Sequence, residues 1–321
     1  MNASSLIYYP DTKPGMTRKR RGRGFSYFDV AGQLVREKAE RERLAHLAVP
    51  PAYEDVWMCP VPNGHLQATG RDAKGRKQYL YHPDWTQAQA AAKFEGLAEF
   101  GCALPRIRRR VQKDLQEDVG DKEFAIAAAV TLIDRTGLRV GNPQYLEENG
   151  SYGALTLRKR HVSFSGNQID LNYCGKGGQM VHREMTDAKL ARILGEINDL
   201  PGATLLSWVD DDGDAQTLSS EALNGYIAQA AGIEGASAKA FRTWAGTCAA
   251  FVVAETGGAT IKDMSEAAAE ALHNTPSIAR NSYIHPDVIA LAGQSPPKFK
   301  PEKRSGLLVS EQRLLGFLMR D

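Results

Sequence analysis

ALTLRKRHVSFSGNQIDLNYCGKGGQMVHREM, residues 154–185, is the stretch on which the fold turns. Apolar and polar residues alternate along it and SGN and GKGG punctuate it, which predicts three or four antiparallel strands between Tyr152 and Met185. On that reading Lys176 stands at a hairpin tip. The sequence on either side has a different period. Segments near 86–100, 105–118, 121–136, 187–198, 219–231, 237–255, 263–273 and 285–292 have helical composition or apolar spacing. A short antiparallel sheet inside a mainly helical region predicts an α+β fold for this part of the chain.

Working toward the N-terminus, HPDWTQAQAAAKFEGLAEFGCALPR (82–106) opens with proline and turns alanine-rich, which marks a linker and the entry to the helical domain near residue 85. Ahead of it, VWMCPVPNGHLQATGRDAKGRKQYLYH (56–82) alternates short apolar or aromatic runs with NG and KG turns, the pattern of hairpins in a small sheet. VAGQLVREKAERERLAHLAV (30–49) reads as a helix with Val30, Leu34 and Leu44 in its apolar set, ended by Pro50 and Pro51. Three regions are therefore expected: a flexible basic arm over 1–24, a small β-sheet domain over 25–85 and a larger, mainly helical domain over 86–321. Toward the C-terminus, QSPPKFKPEKRSG (294–306) reads as a flexible basic linker and LLVSEQRLLGFLMRD (307–321) as a short docking helix. DDDGD (210–214) reads as an exposed turn.

Composition narrows the function classes. The 321 residues contain no run of about 18 apolar residues, and the N-terminus lacks the charged-then-apolar order of a secretory signal, so a cytoplasmic protein without membrane insertion is expected. Cys59, Cys102, Cys174 and Cys248 show no CxxC spacing, which supports neither a disulfide framework nor a zinc site. Charge is distributed unevenly. Residues 1–85 carry 14 Lys and Arg against 9 Asp and Glu, whereas the remainder carries 26 against 29. TRKRRGRG (17–24) concentrates Arg18, Lys19, Arg20, Arg21 and Arg23, and LPRIRRRVQKDL (104–115) brings Arg106, Arg109, Arg110 and Lys113 near one helix face. Two separated basic surfaces suit a protein that surrounds a duplex and binds it through its phosphates.

Four separated segments each offer a residue type needed to transfer a phosphodiester to a protein nucleophile: LIDRTGLR with Arg135, CGKGG with Lys176, KAFRTW with Arg242, and NTPSIARNSY with Asn274 and Tyr283. The reaction needs an oxygen nucleophile in line, cations at the non-bridging oxygens, and an acid for the leaving oxygen. Arginine suits the non-bridging oxygens because its planar fork donates two parallel hydrogen bonds and stays charged. A lysine between glycines can reach a leaving oxygen. Taken singly, each of these residues is commonplace: an arginine near a helix end is usually an ion pair, a turn lysine is usually solvated, and a helical tyrosine usually packs. The combination is what points to chemistry.

That combination resembles the type IB DNA topoisomerases of bacteria and poxviruses. The resemblance extends over PPAYEDVW (50–57), NGHLQATGRDAKGRKQYLYH (63–82), DRTGLRVGN (134–142), QYLEENGSYGALTLRKRHV (144–162) and TPSIARNSYIHP (275–286), in the family's order. It implies that Arg135 and Arg242 contact the scissile phosphate, that Lys176 protonates the leaving group, and that Tyr283 is the nucleophile. In many relatives a histidine lies nine residues before the nucleophile; here Asn274 occupies that position, with an amide able to donate a neutral hydrogen bond. The TPSI sequence fixes this alignment, with Thr275 as N-cap and Pro276 at the first helical position. The resemblance further implies DNA contacts from Gln78, Tyr79 and Tyr81 in GRKQYLY, flanked by Arg76 and Lys77, and from Tyr145 and Lys239.

The family also implies relaxation of supercoiled duplex DNA by a monomer closed around it in the cytoplasm, associated with the nucleoid, without ATP, cofactor or metal. A tyrosine recombinase shares the constellation, but KAFR carries Lys239 where recombinases usually place a histidine, and the GRKQY segment belongs to the topoisomerase pattern. A non-enzymatic duplex-binding protein is the other alternative, against which the intact tyrosine, lysine and arginine set argues.

Overall fold

The computed structural model describes residues 6–22, 24–143, 146–147 and 150–320. It has the expected α+β composition, in two compact units that divide between Glu95 and Gly96.

In the smaller unit, β1 (Met16–Arg21), β2 (Gly24–Phe28), β3 (Glu54–Met58), β4 (Leu66–Arg71) and β5 (Lys77–Tyr81) form one sheet in the order β2-β1-β3-β4-β5, every pair antiparallel. Met16, Val56, Met58 and Ala68 from the strands pack with Val49 and with Leu44 of α1 (Lys38–His46). Leu44 is the one fully buried residue of that helix, so Leu44→Ala would cost about 2–5 kcal/mol. The unit closes with α2 (Pro83–Glu95).

Two expectations for this unit need correction. The basic run placed in a flexible arm over 1–24 is in part strand β1. Its charges are accommodated because Arg18 turns inward, donating to the carbonyls of Val49 at 2.7 Å and Pro50 at 2.5 Å and lying over the Phe25 ring, while Lys19 lies over Phe28. The helix read over 30–49 starts only at Lys38. Upstream, the Asp29 carboxylate accepts from the amides of Ala31 and Gln33, and Gly32 takes a left-handed conformation, so residues 29–33 form a turn that pairs Phe28 with Leu34. Val30 and Leu34 are accordingly exposed. Aspartate competes for local amides and defeats the apolar spacing.

The larger unit is built on α3 (Leu97–Asp114), α4 (Lys122–Thr136), α5 (Ala188–Asn198), α6 (Ser220–Ala231), α7 (Ala238–Ala254), α8 (Ile261–Leu272), α9 (Pro276–Tyr283), α10 (Pro286–Ile289) and α11 (Val309–Leu318). Helix α4 is its axis. Phe124, Leu132 and Ile133 are buried, and the small Ala125 and Ala127–Ala129 let neighbouring elements approach closely. The stretch that decided the fold class forms three antiparallel strands, β6 (Val162–Ser165), β7 (Gln168–Cys174) and β8 (Met180–Thr186), in the order β6-β7-β8. The DDDGD turn joins a second small hairpin, β9 (Ser207–Val209) with β10 (Ala215–Thr217), and Asp210 accepts from the amides of Asp212 and Asp214.

Helix α11 docks through Glu311. Its carboxylate accepts from both terminal nitrogens of Arg108 at 2.7 and 2.8 Å and from Trp244 Nε1 at 3.1 Å, while Arg108 also binds Asp134. The four cysteines are free, and among the described residues no helix is long and apolar enough to cross a membrane.

Candidate active site

Two helix ends frame the site. Helix α4 stops at Gly137, whose φ of 61° only glycine adopts freely, and the chain turns there toward Arg139. Helix α8 stops at His273, also left-handed, and leads to Asn274. Arg139 Nη2 donates to Asn274 Oδ1 at 2.5 Å, joining the two exits.

Arg242, 4% exposed on α7, lies behind this pair. It donates to the Gly137 carbonyl and to that of Leu272, the final residue of α8. Such carbonyls carry the negative end of a helix dipole and stabilise a cation without a full counter-charge. Arg183 on β8 donates in the same way to Thr136 O and, at 3.5 Å, to Ala271 O. None of Arg139, Arg183 and Arg242 pairs with a carboxylate among the described residues. Within this cluster two buried donors lack any hydrogen-bond partner: Arg242 Nε and Asn274 Nδ2. Arg139 and Arg242, with no carboxylate to neutralise them, and the two idle N–H donors form a cluster whose chemistry suits an anion.

Tyr283 ends α9 within this field. Thr275 caps the helix, its hydroxyl accepting from Ile278 N, and Pro276 takes the first position, as the TPSI reading expects. The Arg242 guanidinium lies over the Tyr283 ring, Cζ 4.8 Å from the centroid. Burial pushes the phenol up, but the charge and hydrogen bond of Arg242, with the charges of Arg139 and Lys239, carry it below its ordinary value. The same burial pulls the Arg242 guanidinium down, against the stabilising influence of Tyr283. Tyr173, on the inward face of β7, is pushed up to about 12 by burial despite the three arginines.

The backbone under Tyr283 is fixed by α7. Thr247 Oγ1 donates to the Tyr283 carbonyl at 2.9 Å and accepts from His285 N at 3.1 Å. A methyl group on Gly246 would stand 2.9 Å from Tyr283 Cβ and 2.8 Å from Leu272 Cδ1, so only glycine lets α9 approach this closely.

Of the residues singled out by sequence, Arg242, Asn274, Tyr283 and Lys239 contribute to this cluster. Arg135 does not. It remains on the outer face of the last turn of α4, 47% exposed, its Nε 3.5 Å from the Asp187 carboxylate. Arg139, four residues on, stands in the cluster instead. A continuous helix would put both residues on one face, but Gly137 ends α4 between them; the glycine in RTGLR was the available signal. Lys176 lies exposed on the tip joining β7 to β8, where Gly177 and Gly178 adopt left-handed conformations. Arg183, Gly246 and Thr247 carried no sequence signal of their own.

In the smaller unit, β5 is an edge strand. Tyr79 and Tyr81 share a face as alternation requires, their rings stacked 6.2 Å apart and exposed. Arg76 pairs with Asp72, whose carboxyl its hydrogen bond holds down to about 2, Lys77 pairs with Asp11, and Gln78 donates to Asp72. Tyr145 lies outside the described residues.

One group among the described residues has metal-ligating composition: Asp170, His182 and Glu184 bring one ligand atom each within 4.8 Å of one another. They occupy the outer face of β7 and β8, opposite the face that carries Tyr173 and Arg183, and imidazole–carboxylate contacts of 3.3 and 3.4 Å already link them.

Comparison with known proteins places the chain in a family. Residues 82–275, more than half of the chain, match the family described as eukaryotic DNA topoisomerase I, catalytic core, and residues 24–72 match the bacterial DNA topoisomerase IB N-terminal domain. The DNA topoisomerase 1B of Acanthamoeba polyphaga mimivirus is 28% identical over 96% of this chain and 96% of its own length. That of vaccinia virus is 27% identical over 42% of this chain and 44% of its own. A solved XerH site-specific recombinase bound to a palindromic difH substrate is 16% identical, covering 56% of this chain and 47% of its own, with a TM-score of 0.37. The chain belongs to the type IB DNA topoisomerases.

Proposed function

We infer that the protein relaxes supercoiled duplex DNA by transient cleavage of one strand, with Tyr283 as the nucleophile. The observation that carries this is a phenol held below its ordinary value by a guanidinium that no carboxylate neutralises. A backbone phosphate entering the pocket would present its non-bridging oxygens to Arg139, Arg242 and the idle amide of Asn274. Tyr283 Oη, having lost its proton to solvent, bonds to phosphorus as the bond to the 5′ oxygen breaks. Lys176 gives that oxygen a proton. The products are a 3′-phosphotyrosyl link and a free 5′-hydroxyl.

Because the phosphodiester energy is retained in the new ester, rotation of the free end can relieve torsion of either sign. The 5′-hydroxyl then attacks back, returning its proton to Lys176. No nucleotide is consumed. Side chains already supply the positive charge at the phosphate, so activity should persist in EDTA. We infer a monomer with both units on the duplex and the Tyr79–Tyr81 face and its neighbours contacting it. Affinity should fall steeply with salt, since phosphate contacts release counterions.

Plasmid relaxation in EDTA without nucleotide, wild type beside Tyr283→Phe, tests the reading. The wild type should relax both positive and negative supercoils and yield a covalent adduct on denaturation; Tyr283→Phe should do neither. Relaxation by Tyr283→Phe would sink the assignment of the nucleophile, and obligatory joining at paired sites would make the protein a recombinase.

A further inference from the structure

Arg183 breaks the alternation of its own strand. Val181, Arg183 and Met185 share the face of β8 opposite that of His182 and Glu184, and their partners across the ladder on β7, Tyr173, Leu171 and Ile169, are all buried. A guanidinium directly across from Leu171 costs solvation, and it pairs with no carboxylate. Its hydrogen bonds have a pattern that a casual buried arginine would lack. Arg183 reaches Thr136 O and Ala271 O; Arg242 reaches Gly137 O and Leu272 O. Two arginines from different elements thus tie consecutive carbonyls at the end of α4 to consecutive carbonyls at the end of α8. Two residues beyond the second tie, the chains deliver Arg139 and Asn274, which meet at 2.5 Å.

We propose that Arg183 is a positioning residue for strand cleavage: it sets the spacing of the two helix ends, and through them the Arg139–Asn274 pair that receives the phosphate. This rests on the cleavage reading given above. Arg242 faces the tyrosine ring as well as the helix ends, whereas Arg183 acts only through the frame. The strand it anchors also runs back to the tip that presents Lys176, so the same residue roots the acid-bearing hairpin on the pocket.

The test is a double-mutant cycle read by single-turnover cleavage of a duplex, with binding and thermal melting measured separately on wild type, Arg183→Met, Asn274→Ala and the combination. Misplacing the pair should slow cleavage about 10²-fold in Arg183→Met, with duplex affinity unchanged. Because both residues act through one pair, the combination should be no slower than the slower single variant beyond about twofold. Arg183→Lys should recover part of the rate. Wild-type cleavage by Arg183→Met, or losses that multiply in the combination, would overturn the proposal. If Arg183→Met does not fold, the same cycle is read with Arg183→Lys, and multiplying losses there overturn it equally. A wild type that forms no covalent adduct removes the cleavage reading itself, and this role with it; an active wild type with multiplying losses removes only the role of Arg183.

Discussion

Arg108 and Arg242 are both largely withdrawn from solvent in the larger unit, and their surroundings are opposite. Arg108 is clasped by two carboxylates, Asp134 and Glu311, on bonds of 2.7–2.9 Å. Burial alone would lower it, but these partners carry it above its ordinary value. Arg242 has two backbone carbonyls, an idle Nε and a tyrosine ring, and its guanidinium is pulled down. A cation with a full counter-charge is a fastener. One that a fold buries without a counter-charge has an anion still to meet, and the second kind is far rarer because its desolvation goes uncompensated.

The comparison breaks first at these two residues. Arg242→Ala should leave a folded protein whose cleavage rate falls about 10³-fold, the loss expected on removing a principal donor to the transition-state phosphate. Arg108→Ala should do the reverse, costing about 3–5 kcal/mol of stability by stranding two carboxylates, while the folded fraction cleaves normally. The acid profile of Arg108→Ala should differ from that of the wild type as well. In the wild type, burial raises Glu311 but Arg108 holds it below 4.5, so its contribution is complete above pH 4.5 and is lost as pH falls through the lower folded value. Without Arg108, burial still raises Glu311 and only the Leu308 amide and the Trp244 indole oppose it. Arg108→Ala should therefore lose less stability than the wild type as pH falls below 4.5. Equal melting shifts in the two variants, or a cleavage defect in Arg108→Ala, would erase the distinction between fastener and site.

What the sequence made legible follows from the range of the forces involved. The three-stranded sheet, the capped start of α9 and the stacked face of β5 are set by residues within a few positions of one another, so period and turn chemistry suffice to find them. The site depends on contacts between residues 30 to 135 positions apart, such as Arg242 with Leu272 and Arg139 with Asn274, and no local pattern encodes these. Family resemblance pointed to Tyr283 and Arg242, and the structure brings the two side chains together. It pointed to Arg135, whereas the structure brings Arg139 into the cluster, a choice that hinges on where α4 ends. The basic run at 17–21 misled for a related reason: charge density suggested a solvated arm, whereas Arg18 places its two terminal nitrogens on carbonyls some thirty residues away.

A smaller effect sharpens the comparison inside the pocket. Asn274 spends its carbonyl oxygen on Arg139 and keeps Nδ2 free, so Asn274→Ala should slow cleavage about 10²-fold through loss of both the donor and the anchor. Asn274→Asp keeps the anchor and replaces the donor with a negative charge facing the phosphate. It should be the slower of the two if the free amide meets an anion. Were Asn274→Asp to match the wild type in single-turnover cleavage, the pocket would be holding Arg139 in place and doing nothing more.

The smallest expected effect is the most discriminating for the arginine pair on either side of Gly137. Arg135 is half exposed and its nearest carboxylate oxygen lies 3.5 Å away, a surface ion pair worth about 0–1 kcal/mol at most. Arg135→Ala should therefore melt within a few degrees of the wild type and cleave at the same rate, whereas Arg139→Ala, which removes a charge acting on the Tyr283 phenol and the partner of Asn274, should cleave about 10²-fold more slowly. Gly137 is what separates the two outcomes: an α4 continued through that position would return both arginines to one face and make their losses comparable. A large cleavage defect in Arg135→Ala would mean that the end of α4 rearranges when DNA arrives and that the left-handed turn at Gly137 belongs only to the free protein.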